Sequence, residues 1–256
     1  MVRNTLKALA VIGGLLAASA LPAAAAGPYV PIPDTRFSFD GIFGAFDRAS
    51  AQRGFQVYKE TCAACHGMRL LSYRHLRELG FTEQQVAAIA SQFQVVDGPN
   101  DEGQMFERPA RASDRFRSPF PNRQAARAAN NGAYPVDLSI ITKARAGGAD
   151  YIYALLTGYQ DPPPGVEMME GMHYNRYFPG HMIAMARPLM PDQVTFADGT
   201  PATVENMARD VTTFLAWAAE PELEQRRAMG VKVILFLTVL AGLVYAVKRR
   251  IWADVH

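Results

Sequence analysis

Apolar positions recur along this chain in three patterns, and each predicts a helix in a different environment. Phe43, Phe46, Ala49, Ser50, Gly54 and Val57 follow one another at three- and four-residue spacing, the repeat of one helix face leading up to Thr61. Gly54 has no side chain, so a second helix can approach closely there. The expected partner starts at Thr203, where Val204, Met207, Ala208, Val211, Phe214, Leu215 and Ala218 form one stripe that Pro221 ends. The third pattern, Ala228 to Val247, is apolar all round except at Lys232 and is followed by Lys248-Arg249-Arg250 and Trp252. About twenty helical residues cross a hydrocarbon core, and a lysine one turn in reaches the headgroups. Shorter helices are expected from Thr82 to Phe93 and from Asp150 to Leu156. The Gly-, Pro- and Arg-rich stretches Asp97 to Pro121 and Asp161 to Pro179 read as irregular surface. The fold class is mainly α, with extended loops and one C-terminal transmembrane helix.

The N-terminus divides the rest. Arg3 and Lys7 precede an apolar run from Ala8 to Leu21, and Ala24-Ala25-Ala26 suits an A-x-A cleavage site. Residues 1–26 are therefore read as a secretory signal peptide, 27–224 as an exported domain, 228–248 as the membrane span and 249–256 as a cytoplasmic tail.

Chemistry enters at Cys62-Ala63-Ala64-Cys65-His66. Two thiols three apart can each add to a porphyrin vinyl group, and the imidazole that follows at once is placed to ligate iron on the proximal side. A disulfide or a thioredoxin-like redox pair competes for the same two cysteines. The adjacent His66, the lack of any further cysteine and the lack of a βαβ pattern favour haem attachment. With 2 cysteines in the chain, one covalent haem c is the maximum by this chemistry. The exported region is thus expected to be a cytochrome c-like haem domain.

An electron carrier needs a sixth iron ligand, and methionine raises the potential relative to a second histidine. Spacing leaves Met105, Met168, Met169, Met172, Met182, Met185 and Met190 open, along with His75, His173 and His181.

The passages RGFQVYKETCAACHGM (53–68), NNGAYPVDLSIITKARAGGADYIYALLTGY (130–159), YFPGHMIAMARPL (177–189) and DGTPATVENMARDVTTFLAWAAEPE (198–222), followed by the terminal span, resemble the cytochrome c1 family in that order. These are the haem subunits of ubiquinol–cytochrome c oxidoreductase (cytochrome bc1) complexes. The resemblance implies Met185, in its A-M-A-x-P context, as the sixth ligand opposite His66. It implies that Arg145 pairs with a haem propionate, with Tyr151 at the same edge, and that Asn130, Pro135 and Phe178 line the haem pocket. Three positions depart from the family pattern: Val136 and Arg187 stand where proline is usual, and His181 where glutamine is common. His181, four residues before Met185, is a rival for the iron.

Charge is segregated along the chain. From Gly27 to Glu222 there are 22 acidic residues against 18 Lys and Arg, a net charge of −4. Asp150, Asp161, Glu167 and Glu170 lie in a stretch, 146–175, without Lys or Arg, and such a patch steers a basic redox partner. The six arginines from Arg108 to Arg127 come without a nucleic-acid fold signature, and no nucleic-acid partner is expected. The resemblance implies a non-catalytic electron-transfer subunit in a bacterial inner membrane, single-pass, with its haem domain in the periplasm and lipid around its span. It would accept an electron from the Rieske iron–sulfur protein beside cytochrome b and pass it to a soluble cytochrome c. The alternatives are an anchored electron donor to another respiratory complex and an exported thiol–disulfide protein.

Overall fold

The structure is a computed structural model in which residues 30–254 are described. The expected signal peptide and the last two residues of the tail lie outside that range.

Two crossed helices form the centre of the haem-motif domain. Helix α1 spans Arg48–Val57 and starts where the Asp47 carboxylate accepts the Ala49 and Ser50 N–H groups. Capping by Asp47 corrects the expected start of this helix: Phe43 lies outside it and is 88% exposed. Beyond Val57 the rod widens into one π turn, Tyr58–Cys62. Helix α2 spans Glu83–Ala90, capped reciprocally by Thr82 and Gln85, and stops short of Phe93. A 3₁₀ turn, Tyr73–Leu79, precedes it and ends at Gly80, whose φ of +98° is a left-handed stop. Helix α3 covers Arg123–Ala129 and α4 covers Gly148–Thr157. Helix α5, Val204–Ala219, begins at the Thr203 cap as its stripe predicts.

Helix α1 packs on α5 at Gly54. A methyl group there would overlap the Asp210 carbonyl oxygen and lie 2.8 Å from Phe214 Cβ, so only glycine permits this crossing. Beside the contact, the buried Asp210 carboxylate accepts Ser50 Oγ–H at 2.6 Å and Arg53 Nε–H at 2.7 Å. A carboxylate shut away from water is tolerated when paired in this way. Arg53 also reaches Asp198 at 2.8 Å. Around the crossing Phe55, Tyr58, Tyr73, Phe116, Phe214 and Trp217 form an aromatic core, with Tyr73 stacked on Phe116 at 4.6 Å between centroids.

The stretch after Asp97, expected to be irregular, is partly a hairpin. Strands β1 (Gln94–Asp97) and β2 (Phe106–Pro109) pair antiparallel. Arg108 ties it down through Asp97 and, at 2.6 Å, Asp114. Two short strands, β3 (His173–Tyr174) inside the other irregular stretch and β4 (Met182–Ile183) just beyond it, close a second antiparallel turn.

Helix α6 spans Leu223–Ile251, longer at both ends than the apolar run, and is long and apolar enough to cross a membrane. Its 29 residues measure about 44 Å at the helical rise. Leu223 is buried in the domain, whereas Ile234, Leu235, Phe236, Leu240, Leu243 and Val247 are exposed. The first turns are anchored: Glu224 accepts the Phe46 N–H at 2.8 Å and pairs with Arg48 at 2.9 Å, and Arg227 donates to the Phe39 and Gly44 carbonyls at 2.8 Å each.

Candidate functional site

The cysteine motif forms one tight turn. The Cys62 carbonyl accepts both the Cys65 N–H at 3.1 Å and the His66 N–H at 2.9 Å, while Ala63 N–H returns to Tyr58 across the π turn at 2.8 Å. Residues three apart on such a turn share a face, which suits two thiols meant for one planar ring. Both cysteines are free, Cys62 half-buried and Cys65 exposed. Burial pushes the Cys62 thiol up to about 12, so it is protonated at neutral pH. That works against a thiol–disulfide enzyme, which needs a stabilised thiolate.

His66 is oriented from outside the motif. Its Nδ1 lies 2.7 Å from the Val136 carbonyl oxygen, which fixes Nδ1 as the protonated nitrogen and leaves Nε2 as the one open to a metal. Burial holds the imidazole below its ordinary range and therefore neutral, the form that binds metal. The Tyr58 hydroxyl donates to the His66 carbonyl at 3.1 Å. The segment carrying Val136 is stitched alongside: Leu138 N–H donates to Gly67 O at 2.8 Å, Arg69 N–H to Asp137 Oδ2 at 2.9 Å, and Leu70 N–H to Ser139 Oγ at 3.0 Å. Pro135 and Val136 are half-buried next to it. Asn130, also half-buried, closes α3 by donating from Nδ2 to the Ala126 carbonyl at 2.7 Å. Val136, where proline is usual, thus supplies the oxygen that holds the proximal imidazole, through a carbonyl that proline also possesses.

A second group of residues hangs from the end of α4. Tyr159, buried, donates its hydroxyl to the Met185 carbonyl at 3.0 Å, and Arg187 donates to the Tyr159 carbonyl at 2.7 Å. The two bonds clamp the Met185 loop from both sides, so Arg187 serves as a fastener. Asn175, fully buried, joins the pieces: its Nδ2 donates to Leu155 O at 2.7 Å, and its Oδ1 accepts Tyr177 N–H at 3.0 Å and Phe178 N–H at 3.2 Å. Phe178 is half-buried and directed by this contact. His181 sits at φ +61° with its ring stacked on Tyr174 at 5.5 Å and its Nδ1 3.3 Å from the Asn175 carbonyl. These contacts stack the rival histidine on Tyr174 within its own turn and leave Nε2 as its open nitrogen, as in His66.

Arg145 is exposed and donates only to the Ala144 carbonyl, with no carboxylate partner among the described residues. Its charge partly offsets the upward push that burial gives the Tyr151 hydroxyl, so the two are neighbours at the start of α4. Tyr151 in turn adds to the upward push on Tyr159.

The donor set suits a haem better than a bare metal. No group of three or more His, Cys, Asp or Glu that could hold an ion is found among the described residues. There is instead one oriented imidazole, two free thiols on its turn, a clamped methionine, an unpaired guanidinium, and half-buried apolar side chains at Ala63, Val136, Leu155 and Leu156. A separate cavity of about 240 Å³ under Ala63, lined by Phe55, Tyr58, Tyr73 and Phe116, touches none of Cys62, Cys65, His66 or Met185 and is not assigned to the cofactor. Spacing could not have exposed Val136, Tyr159 or Asn175, because each acts through a long-range contact; Tyr159 stood at the end of a family-like passage.

Comparison with known proteins agrees. The Cytochrome C1 family model matches residues 37–255. A mitochondrial cytochrome c1 haem protein of Arabidopsis thaliana is 51% identical over 250 residues, covering 96% of this chain and 81% of its own length. Cytochrome c1 of Rhodospirillum rubrum is 47% identical over 235 residues, 86% of each chain. A cytochrome b/c1 of Bradyrhizobium diazoefficiens is 50% identical over 246 residues, 88% of this chain, which spans 36% of that longer protein. The chain belongs to the cytochrome c1 family, the haem-carrying electron-transfer subunits of bc1 complexes.

Proposed function

We propose that this chain is the membrane-anchored c-type cytochrome of a ubiquinol–cytochrome c reductase. In this reading it relays one electron at a time from the Rieske iron–sulfur protein to a soluble cytochrome c. Helix α6 crosses the bacterial inner membrane beside cytochrome b, and the haem domain stands in the periplasm. The fused name cytochrome b/c1 of the Bradyrhizobium diazoefficiens relative supports the neighbour. The observation that carries the reading is the His66 imidazole held at 2.7 Å by the Val136 carbonyl, on the same turn as two free cysteines.

When bound, a single haem c supplies the one-electron redox couple. Everything else is the work of side chains. Cys62 and Cys65 would anchor the porphyrin through thioethers, His66 would present Nε2 to the iron, and Met185 would offer its thioether as the second protein ligand. Arg145, whose guanidinium has no carboxylate partner among the described residues, would meet a propionate, with Tyr151 at that edge. Asn130, Pro135 and Phe178 wall the pocket and keep water out. No residue here acts as acid, base or nucleophile.

Met185→Leu tests the assignment. The variant is expected to retain covalent haem on a denaturing gel stained for haem, to lower the reduction potential and to lose quinol–cytochrome c turnover; an unchanged potential rules out Met185. Absence of stainable haem in the wild-type chain returns the cysteines to thiol chemistry. Co-purification with cytochrome b and a Rieske protein separates this function from service to another respiratory complex.

A further inference from the structure

The loop Asp40–Ala45 exposes two large apolar side chains, Ile42 at 71% and Phe43 at 88%, in the same region of the fold that anchors the start of α6. Its neighbours Phe37, Phe39 and Phe46 are buried in contact, Phe37 stacked on Phe39 and Phe39 tilted against Phe46, at 5.0 Å each. The loop is therefore not loose: its base is rooted in the core while its tip is turned outward. Gly41 takes φ +72°, and a methyl on Gly44 would overlap the Asp40 carbonyl, so the chain reverses tightly between them.

The base of this loop is bolted to α6. Arg227 donates one N–H each to Phe39 O and Gly44 O, the two carbonyls that flank the tip, at 2.8 Å. Glu224 takes the Phe46 N–H and the Arg48 guanidinium one turn earlier. The apolar run of α6 starts at Ala228, immediately after Arg227. Arg227 thus ties both flanks of the loop tip to the residue immediately before the apolar run.

We propose that Ile42 and Phe43 are a second membrane contact, inserted into the interface of the lipid bilayer beside the entry point of α6. The inference rests on the reading of α6 as a membrane span. Gly41-Ile42-Phe43-Gly44-Ala45 carries no charge. The two nearest carboxylates, both exposed, are engaged in local backbone bonds, Asp40 accepting the Phe37 N–H at 2.6 Å and Asp47 capping α1. Lys232, with no carboxylate partner among the described residues, supplies a cation that suits phosphate headgroups one turn along α6, while Arg226 pairs with Glu220 and Arg227 is spent on the loop carbonyls. A helix entering a bilayer alone leaves its domain free to swivel; a second apolar foot clamped to its first turns holds the haem domain at one attitude to the membrane plane.

The test is acyl-chain photolabelling. Membranes containing the full-length haem-loaded chain with its partners receive a phosphatidylcholine bearing a diazirine on one acyl tail, are illuminated, and the peptides are mapped by mass spectrometry. Lipid adducts are expected on the peptide containing Ile42 and Phe43 as well as on α6, and the loop adducts are expected to fall to background in Ile42→Ser/Phe43→Ser while the α6 adducts remain. Labelled α6 with a clean loop overturns the second contact and leaves the span standing. Failure to label either segment overturns the span and the inference with it. A photoreactive phenylalanine analogue at position 43 that cross-links to a protein subunit instead of lipid also overturns the proposal.

Discussion

Asn175 uses every polar atom of its side chain while fully buried, so its removal has a cost that no surface residue can offset. Asn175→Leu leaves the Leu155 carbonyl and two backbone N–H groups without partners, at about 1–3 kcal/mol for each unsatisfied group. Denaturant titration is expected to show a loss of at least about 2 kcal/mol, with the Met185 loop loosened and the potential shifted downward. Tyr159→Phe is the milder version: it removes only the bond to the Met185 carbonyl and is expected to cost about 1 kcal/mol. Asp198 behaves differently, because it is exposed. Hydrogen bonds from Thr200, and then Arg53, hold its carboxyl near 2 against an ordinary 3.8. A group depressed in this way stabilises the fold fully above its unfolded value and loses that contribution as pH falls toward its folded one. Acid titration of stability is therefore expected to be flatter between about pH 4 and pH 2 in Asp198→Asn than in the parent chain.

Among the elements, α1 and α5 depend on a missing side chain. Gly54→Ala forces a methyl into the Asp210 carbonyl and toward Phe214, and overpacking of this kind costs about 1–3 kcal/mol or more. Thermal unfolding is expected to show the loss, and Gly54→Val to prevent folding. The partnership was readable beforehand, since periodic stripes around Gly54 and after Thr203 describe two surfaces that must be covered. The end of α1 was less so: Phe43 continues the period, but Asp47 supplies a cap and stops the helix there. The β1–β2 hairpin escaped notice because its strands have four residues each, its register shows no apolar alternation, and the Arg108 bonds to Asp97 and Asp114 that tie it down span 11 and 6 residues. The candidate site divides in the same way. Cys62, Cys65 and His66 are legible because their chemistry is local. Met185 needed family likeness, and the supports at Val136, Tyr159 and Asn175 involve backbone atoms, which leave no trace in residue identity.

For the whole molecule, the domain and helix α6 meet through Leu223 in the core and the bonds of Glu224, Arg226 and Arg227. A stop codon after Ala228 keeps all four and deletes the apolar run. The truncated protein is expected to be exported, to carry haem, and to partition into the soluble periplasmic fraction on cell fractionation, because two interfacial side chains alone give only weak, reversible adhesion. Retention in the membrane pellet after a salt wash counts against α6 as the anchor. The charge distribution sets a kinetic expectation as well. The acidic stretch 146–175 includes α4 and leads to the turn before Met185. Oxidation by a basic cytochrome c is expected to slow as salt rises from about 10 to 200 mM, the range over which the Debye length contracts below the size of such a patch.

The single wide turn at Tyr58–Cys62 has a consequence for biogenesis. One surplus residue in a helical rod rotates everything beyond it by roughly 100° relative to an uninterrupted α pitch. The rod lays Phe55 and Tyr58 against Phe214, and the wide turn sets the rotation at which Cys62 and Cys65 follow that contact. Excising the exposed Glu60 would restore the ordinary pitch and swing the sulfur pair out of alignment, while the scaffold beneath keeps its packing. Cells making that version would accumulate a folded, colourless precursor, stalled at the maturation step that joins porphyrin to polypeptide.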